Sequence, residues 1–454
     1  MIKSINPATE EIIDVYQEMN SKEIGKIISN THSEYLKWKK TDFKLRSEKM
    51  KKAADVLRNK KEEFAKIMTL EMGKPIGQSR AEAEKCAWVC DYFAENAEKF
   101  LEDEIIKTDA KKSFVTYQPL GVILAVMPWN FPFWQVFRFA APNLMAGNAG
   151  VLKHSSNVAG CALAIESIFR EAGFPDNLFR TLVIPSGKVN EVIENKFIKA
   201  VTLTGSTAAG ISVAKNAGAQ LKKSVLELGG SDPYLILKDA DLESASEICV
   251  NSRLLNGGQS CIAAKRFIVV ESVYYDFLKL FVEKMKVKKM GDPFDEKNYL
   301  GPQARNDLRD ELHQQVVKST EMGAKLLLGG KTPEGKGAYY PPSILTEVKP
   351  GMPAYDEELF GPVASVIKVK NEEEGIKVAN DTSFGLGAAV FTKDIERGER
   401  IAKSKLAAGS CFVNEFVKSD PRLPFGGINE SGYGRELSVF GIKEFMNVKT
   451  VYVK

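Results

Sequence analysis

Histidine and cysteine, which most protein metal sites and disulfide frameworks need, are scarce in this sequence. Its three histidines, His32, His154 and His313, lie far apart, and its six cysteines are Cys86, Cys90, Cys161, Cys249, Cys261 and Cys411. Cysteines so sparse and irregular make no disulfide framework, so reduced thiols are expected. No His/Cys group has ligand spacing, so no catalytic metal is expected. A metal pair at Cys86 and Cys90 is conceivable, but two small apolar side chains on one helix face is the better reading. Long apolar runs are also missing. None reaches the roughly 18 residues a membrane-crossing helix needs, and GVILAVMPWNFPFW is broken by two prolines. The start, MIKSINPATEEIIDV, has no apolar core of a secretory signal. Net charge is only +4, with both signs interspersed, which argues against a nucleic-acid footprint. A cytoplasmic protein with no membrane and no nucleic-acid partner is expected.

What is present is an ordinary globular composition, 44% hydrophobic and 27% charged over 454 residues. That length calls for two or three domains. Residues 22–100 carry apolar side chains at three- and four-residue spacing, as at Met50, Ala53, Ala54 and Leu57, and predict helices. SFVTYQP (113–119) predicts a strand, and GVILAVMP (121–128) a buried parallel strand ended by proline. From there strands alternate with helices: 147–155 strand, 162–173 helix, 179–185 strand, 198–206 strand, 207–218 helix, then strands at 224–230 and 233–239. This alternation predicts a parallel sheet covered on both faces. A second α/β stretch runs from about 228 to 430, with strands at 266–272, 324–330, 364–370, 386–392 and 409–414 and a helix at 273–287. The terminal MNVKTVYVK (446–454) alternates like a strand and needs a partner sheet, which a second subunit could supply.

Four segments could carry chemistry. NGGQSCIAAKR (256–266) puts Cys261 after a glycine turn, where backbone can approach a ligand. A thiol is a nucleophile only as thiolate, so it needs a base or a lowered pKa. Alone, the segment reads more readily as a buried structural cysteine. VLELGGSDP (225–233) puts Glu227 at a strand end, as a general base or as a solvated or ion-paired carboxylate. MPWNFPFW (127–134) offers Asn130 as an oxyanion donor or as an Asx turn. TLTGSTAAG (202–210) joins a strand to a helix. Gly205 and Gly210 do not have the G-x-G-x-x-G spacing, yet a helix N-terminus can still hold a phosphate.

Taken together in order and spacing, these segments resemble the aldehyde dehydrogenase superfamily. PWNFP (128–132), ELGG (227–230), GQSC (258–261), EELFGPV (357–363) and PFGGINESGYGRE (424–436) all look like family motifs, and the resemblance runs from NPATEE to the last strand. It is nearest to the short NAD(P)-dependent succinate-semialdehyde dehydrogenases. The fold it implies is α/β: a Rossmann-like cofactor domain (1–100 and 120–227), an α/β catalytic domain (228–430) and a small β oligomerisation element (101–119 and 440–454), assembled as a homodimer or homotetramer.

The resemblance implies that Cys261 attacks the aldehyde, that Asn130 and the Cys261 N–H hold the oxyanion, and that Glu227 activates the water that releases the acid. It implies cofactor contacts at Trp129, Lys153, Ser155, Ser156, Gly205, Ser206, Leu228 and Glu358. Many NAD-preferring members have Lys-Pro-x-Glu where this chain has Lys153-His154-Ser155-Ser156. Without that glutamate a 2′-phosphate is not repelled, so NADP is expected to be accepted alongside NAD, and even preferred. Arg138 matches a position that binds the substrate carboxylate in many succinate-semialdehyde enzymes. A second arginine of one branch is replaced by Leu255, and Ser419 or Arg422 are the alternatives. A CoA-acylating dehydrogenase has no need of the base at Glu227, and a non-catalytic binding protein has no need of the Cys261, Glu227 and Asn130 set.

Overall fold

The computed structural model describes residues 1–454. A short antiparallel hairpin, Ile2–Ile5 with Ile12–Tyr16, opens the chain. Four helices follow, at Ser21–Trp38, Phe43–Asn59, Lys61–Met72 and Ile76–Phe100. Their ends are written in the sequence. Asn20 and Glu23 form a reciprocal capping box at the first. Asp42 caps the second. Gly73, in the left-handed region, ends the third. The expected stripe of Met50, Ala53, Ala54 and Leu57 is fully buried.

These helices lie against a six-stranded sheet. Its order is Gly432–Tyr433, Lys223–Glu227, Ile198–Thr204, Val122–Met127, Ala149–His154 and Phe179–Thr181. The last five run parallel, as the alternation predicted. Gly432–Tyr433 pairs antiparallel with the edge, so residues from beyond 430 complete a sheet assigned to 120–227. The helix Trp134–Met145 is buried along its whole length. Within it Phe137 packs between Phe133 and Phe169, and Phe137→Ala there would cost about 3–5 kcal/mol.

A second, seven-stranded sheet holds residues 233–413. It is parallel except for the edge strand Lys325–Leu328, which pairs antiparallel with Ser343–Thr346. The expected strands at 266–272, 364–370, 386–392 and 409–414 are Arg266–Val270, Val363–Val369, Gly387–Phe391 and Ser410–Val413. A third, small sheet joins Met446–Val453, Lys112–Pro119 and Glu104–Ile105. The terminal strand therefore finds its partner inside the chain, pairing Met446 with Pro119 through to Val453 with Lys112. Its other edge is open, with Val448 and Tyr452 exposed. No helix is long and apolar enough to cross a membrane.

Candidate active site

Cys261 stands on a tightly held loop between the two large sheets. Asn256, Gly257 and Gly258 all take positive φ, and a Cβ on Gly258 would collide with the Gly361 backbone. Only glycine suits that position on both counts. Buried side chains then fix the carbonyls. Arg253 Nη2 donates to Gly258 O at 2.6 Å. Lys265 Nζ donates to Ser260 O at 3.0 Å and Cys261 O at 2.7 Å. No protein acceptor takes the Cys261 N–H, so that donor is free for a ligand. Burial pushes the Cys261 thiol up to about 12, while Arg138 and Lys265 pull it down and Glu358 and Glu227 oppose them. At neutral pH the thiol needs a base before it can attack.

Asn130 lies across from this loop, just beyond the strand Val122–Met127. Its Nδ2 donates to Gln259 O at 3.0 Å, and its own backbone carbonyl accepts from Asn256 Nδ2 at 2.8 Å. It makes no Asx turn. Nδ2 carries two hydrogens, so one remains for a ligand. The following turn is pinned by Glu82, whose Oε1 accepts from the N–H groups of Phe133 and Trp134, both at 2.9 Å. Glu82 thus caps the helix Trp134–Met145 with negative charge. Lys74, buried, forms an ion pair with Glu82 and sits over the Phe131 ring.

Glu227 ends its strand in the core, 2% exposed, and neither carboxylate oxygen has a hydrogen-bond partner. It is therefore neither a solvated nor an ion-paired surface residue. Burial raises its pKa, Arg138 opposes that, and the nearby Glu436 adds to it. Arg138 is 2% exposed and ion-paired with Glu436. Its Nη2 donates to Thr204 Oγ1 at 3.3 Å, and its guanidinium lies over the Phe425 ring. One cation thus stands among two buried carboxylates.

Two cavities meet here. The first, about 430 Å³, is lined by Trp129, Asn130, Gly205, Ser206, Leu228 and Glu358 among others, and reaches Cys261. It opens on the N-terminus of the helix Thr207–Ala219, which Ser206 caps. The N–H groups of Thr207 and Ala208 have no protein acceptor, as an anion-binding helix start requires. Glu358 is held by Gly230 N–H at 3.0 Å and Lys265 Nζ at 3.2 Å. Lys153, Ser155 and Ser156 do not line this cavity. Lys153 is buried at the end of Ala149–His154, where burial lowers its pKa, and Ser155 Oγ donates to Asn157 Oδ1 at 2.7 Å. His154 Nδ1 accepts from Ser155 N–H at 2.9 Å while Nε2 lies 2.8 Å from Pro132 O, and burial lowers its pKa to about 4.

The second cavity, about 290 Å³, includes Lys85, Trp134, Arg138, Ser419 and Phe425, and also reaches Cys261. Cys261 is the one residue common to both. Arg422 is elsewhere, exposed and paired with Asp420. Cys86 and Cys90 are buried and free, with thiols pushed far up by burial. No three His, Cys, Asp or Glu side chains converge as a metal site would need.

Sequence reasoning passed over Glu82, Lys265, Glu436 and Lys85. Lys265 and Glu436 stood inside quoted motifs, CIAAKR and GYGRE, where a charge set among small residues was the available signal. Glu82 and Lys85 lie in a charge-rich helix, where nothing distinguishes them from solvated neighbours.

The aldehyde dehydrogenase family pattern matches residues 1–451. The chain belongs to that family. It is 48% identical to a probable succinate-semialdehyde dehydrogenase [NADP(+)] of Synechocystis sp., covering 100% of this chain and 99% of the relative. It is 46% identical to a succinate semialdehyde dehydrogenase [NAD(P)+] of Escherichia coli strain K12, covering 99% and 97%. Among solved structures, succinic semialdehyde dehydrogenase from Streptococcus pyogenes in complex with NADP+ matches with a TM-score of 0.98 and 38% identity over 100% of both chains. The fold is that of an aldehyde dehydrogenase, with two largely parallel sheets and a small antiparallel one.

Proposed function

We propose that this aldehyde dehydrogenase oxidises succinate semialdehyde to succinate with NADP or NAD. The observation that carries the reading is that Cys261 alone joins the two cavities. The first has the chemistry for a dinucleotide. Its free N–H groups suit a pyrophosphate beside Gly205 and Ser206, Leu228 and Trp129 offer apolar walls, and Glu358 can accept from a ribose hydroxyl. Outside its lining, Lys153 has no carboxylate partner and Ser156 carries no charge, which suits a 2′-phosphate. The second cavity then receives the aldehyde. The relatives' stated substrate supports the semialdehyde.

When bound, the nicotinamide supplies the hydride acceptor. The chain's own residues do the rest. Glu227, its pKa raised by burial, takes the Cys261 proton. The thiolate adds to the aldehyde carbon, and the new oxyanion meets the second Asn130 N–H and the Cys261 N–H. After loss of hydride a thioester remains on Cys261. Glu227, having passed its first proton to solvent, then takes a proton from water as it attacks, and the thiolate leaves with succinate formed. Arg138 moderates the charge of Glu227 and Glu436 throughout.

The cofactor half is assigned to residues 1–100 and 120–227 and the catalytic half to 228–430. Residues 101–119 and 440–454 would pair with a second copy in a homodimer or homotetramer. An aldehyde panel with NADP and NAD, followed at 340 nm, tests the reaction. Faster turnover of succinate semialdehyde than of butanal, without CoA, is expected. Equal turnover would remove the acid substrate, and a requirement for CoA would remove the hydrolytic step.

A further inference from the structure

The cavity on the aldehyde side is lined by three cations, and they are not equivalent. Lys418 is exposed and paired with Glu415. Arg138 is already neutralised by Glu436. Lys74, nearby but outside the cavity, is likewise neutralised by Glu82. Lys85 has no carboxylate at ion-pair distance. Its Nζ donates to Ser419 Oγ at 2.9 Å and lies 4.1 Å from the Trp134 ring centroid. Trp134 Nε1 donates to the same Ser419 Oγ at 3.0 Å. Ser419 therefore has both acceptor positions filled and its hydroxyl hydrogen left over. Two ammonium hydrogens of Lys85 and that hydroxyl hydrogen are donors with no acceptor in the protein. Gln135, 2% exposed on the same wall, also has an unpartnered side-chain oxygen.

We propose that Lys85, seated on Ser419 and Trp134, binds the carboxylate at the far end of the aldehyde and sets the preference for an acid substrate. This rests on the semialdehyde reading above and names the residue that executes it. An uncompensated ammonium in a half-buried cavity is costly unless an anion joins it. Burial, followed by the Arg138 charge, accordingly pushes the Lys85 ammonium down to about 8. A carboxylate would accept charge-assisted hydrogen bonds and reverse that effect. The Arg138 charge is already committed to Glu436, with Thr204 taking one of its Nη2 hydrogens. The aromatic floor of Trp134 suits the short chain between the two ends of the substrate.

The test uses the full-length enzyme with NADP and compares succinate semialdehyde with butanal. In Lys85→Met, which keeps the stem over Trp134, the acid-to-butanal ratio of kcat/KM should fall roughly ten- to hundredfold. The loss should come through KM for the acid. Lys85→Arg should recover most of it. Succinate should protect Cys261 from iodoacetamide in the wild type and much less in Lys85→Met, a readout independent of turnover. Equal loss for both aldehydes would show that Lys85 only supports the fold, and an unchanged ratio would show that it does not touch the acid. Either result overturns the assignment while leaving the substrate reading intact. If the wild type itself showed no preference for the acid, the substrate reading would fall and this assignment with it. If Lys85→Met does not fold, Lys85→Gln and the protection assay carry the same comparison.

Discussion

The two cavities that meet at Cys261 are built from different material. The first combines strand ends and a helix start, bearing free backbone N–H groups, with a wall of side chains from residues 308–315, 358–360 and 384. The second is walled by side chains from four separated stretches, around residues 78–85, 131–138, 255–262 and 416–425. Backbone geometry tolerates change outside a few glycines and caps, whereas a side-chain wall changes with every substitution. A reaction common to a family can thus be held in the first cavity and the choice of aldehyde in the second. Cys261 belongs to both, which explains why its loop is clamped by Arg253, Lys265, Asn130 and Asn256.

That division can be broken experimentally, starting where the effect is largest. Glu227→Gln should cut steady-state turnover by roughly 10²–10⁴-fold. A burst of reduced cofactor in the first turnover should survive if Glu227 matters mainly for release of the acid. Loss of burst and steady rate together would assign it to activating Cys261. In the wild type the release step needs the Glu227 carboxylate, and burial raises that pKa. The step should therefore accelerate as pH climbs beyond the ordinary carboxylate range, and this dependence should vanish in Glu227→Gln.

Asn130→Ala should come next, costing about 2.7–4 kcal/mol of barrier through kcat, if its free N–H faces the oxyanion. The penalty should be the same for the acid and for butanal, because the oxyanion is common to both. A penalty confined to one aldehyde would place Asn130 in the specificity wall instead. Ser156→Glu should have a smaller effect, lowering kcat/KM with NADP by roughly tenfold while sparing NAD, through repulsion of a 2′-phosphate. If NADP and NAD fell together, Ser156 would be reporting on local structure rather than on phosphate.

The same contrast explains what the sequence made legible. Glu227, Asn130, Ser206 and Cys261 were visible because each sits at a strand end or turn, where glycine and proline mark the backbone. The strands of both large sheets were visible for a related reason. Their apolar runs, such as Val122–Met127, are buried and uninterrupted. The antiparallel strand Gly432–Tyr433 and the buried helix Trp134–Met145 were not visible. The first is two residues long, and the second is buried on every face, with Gln135, Arg138 and Asn143 among its apolar residues, so neither shows a period. Arg138 was found by resemblance, but its pairing with Glu436, about 300 residues away in the chain, is a property of the fold. Lys85 has no local mark at all, because only the folded chain brings it to Ser419 and Trp134.

On this mechanism Cys261, where the two cavities meet, carries the acyl group. Wild-type enzyme mixed with NADP and succinate semialdehyde, quenched in acid within the first turnover and mapped by peptide mass spectrometry, tests it directly. A succinyl thioester on Cys261, formed only when NADP is present, is the predicted result. An unmodified Cys261, or an acyl group on one of the other five cysteines, would contradict it.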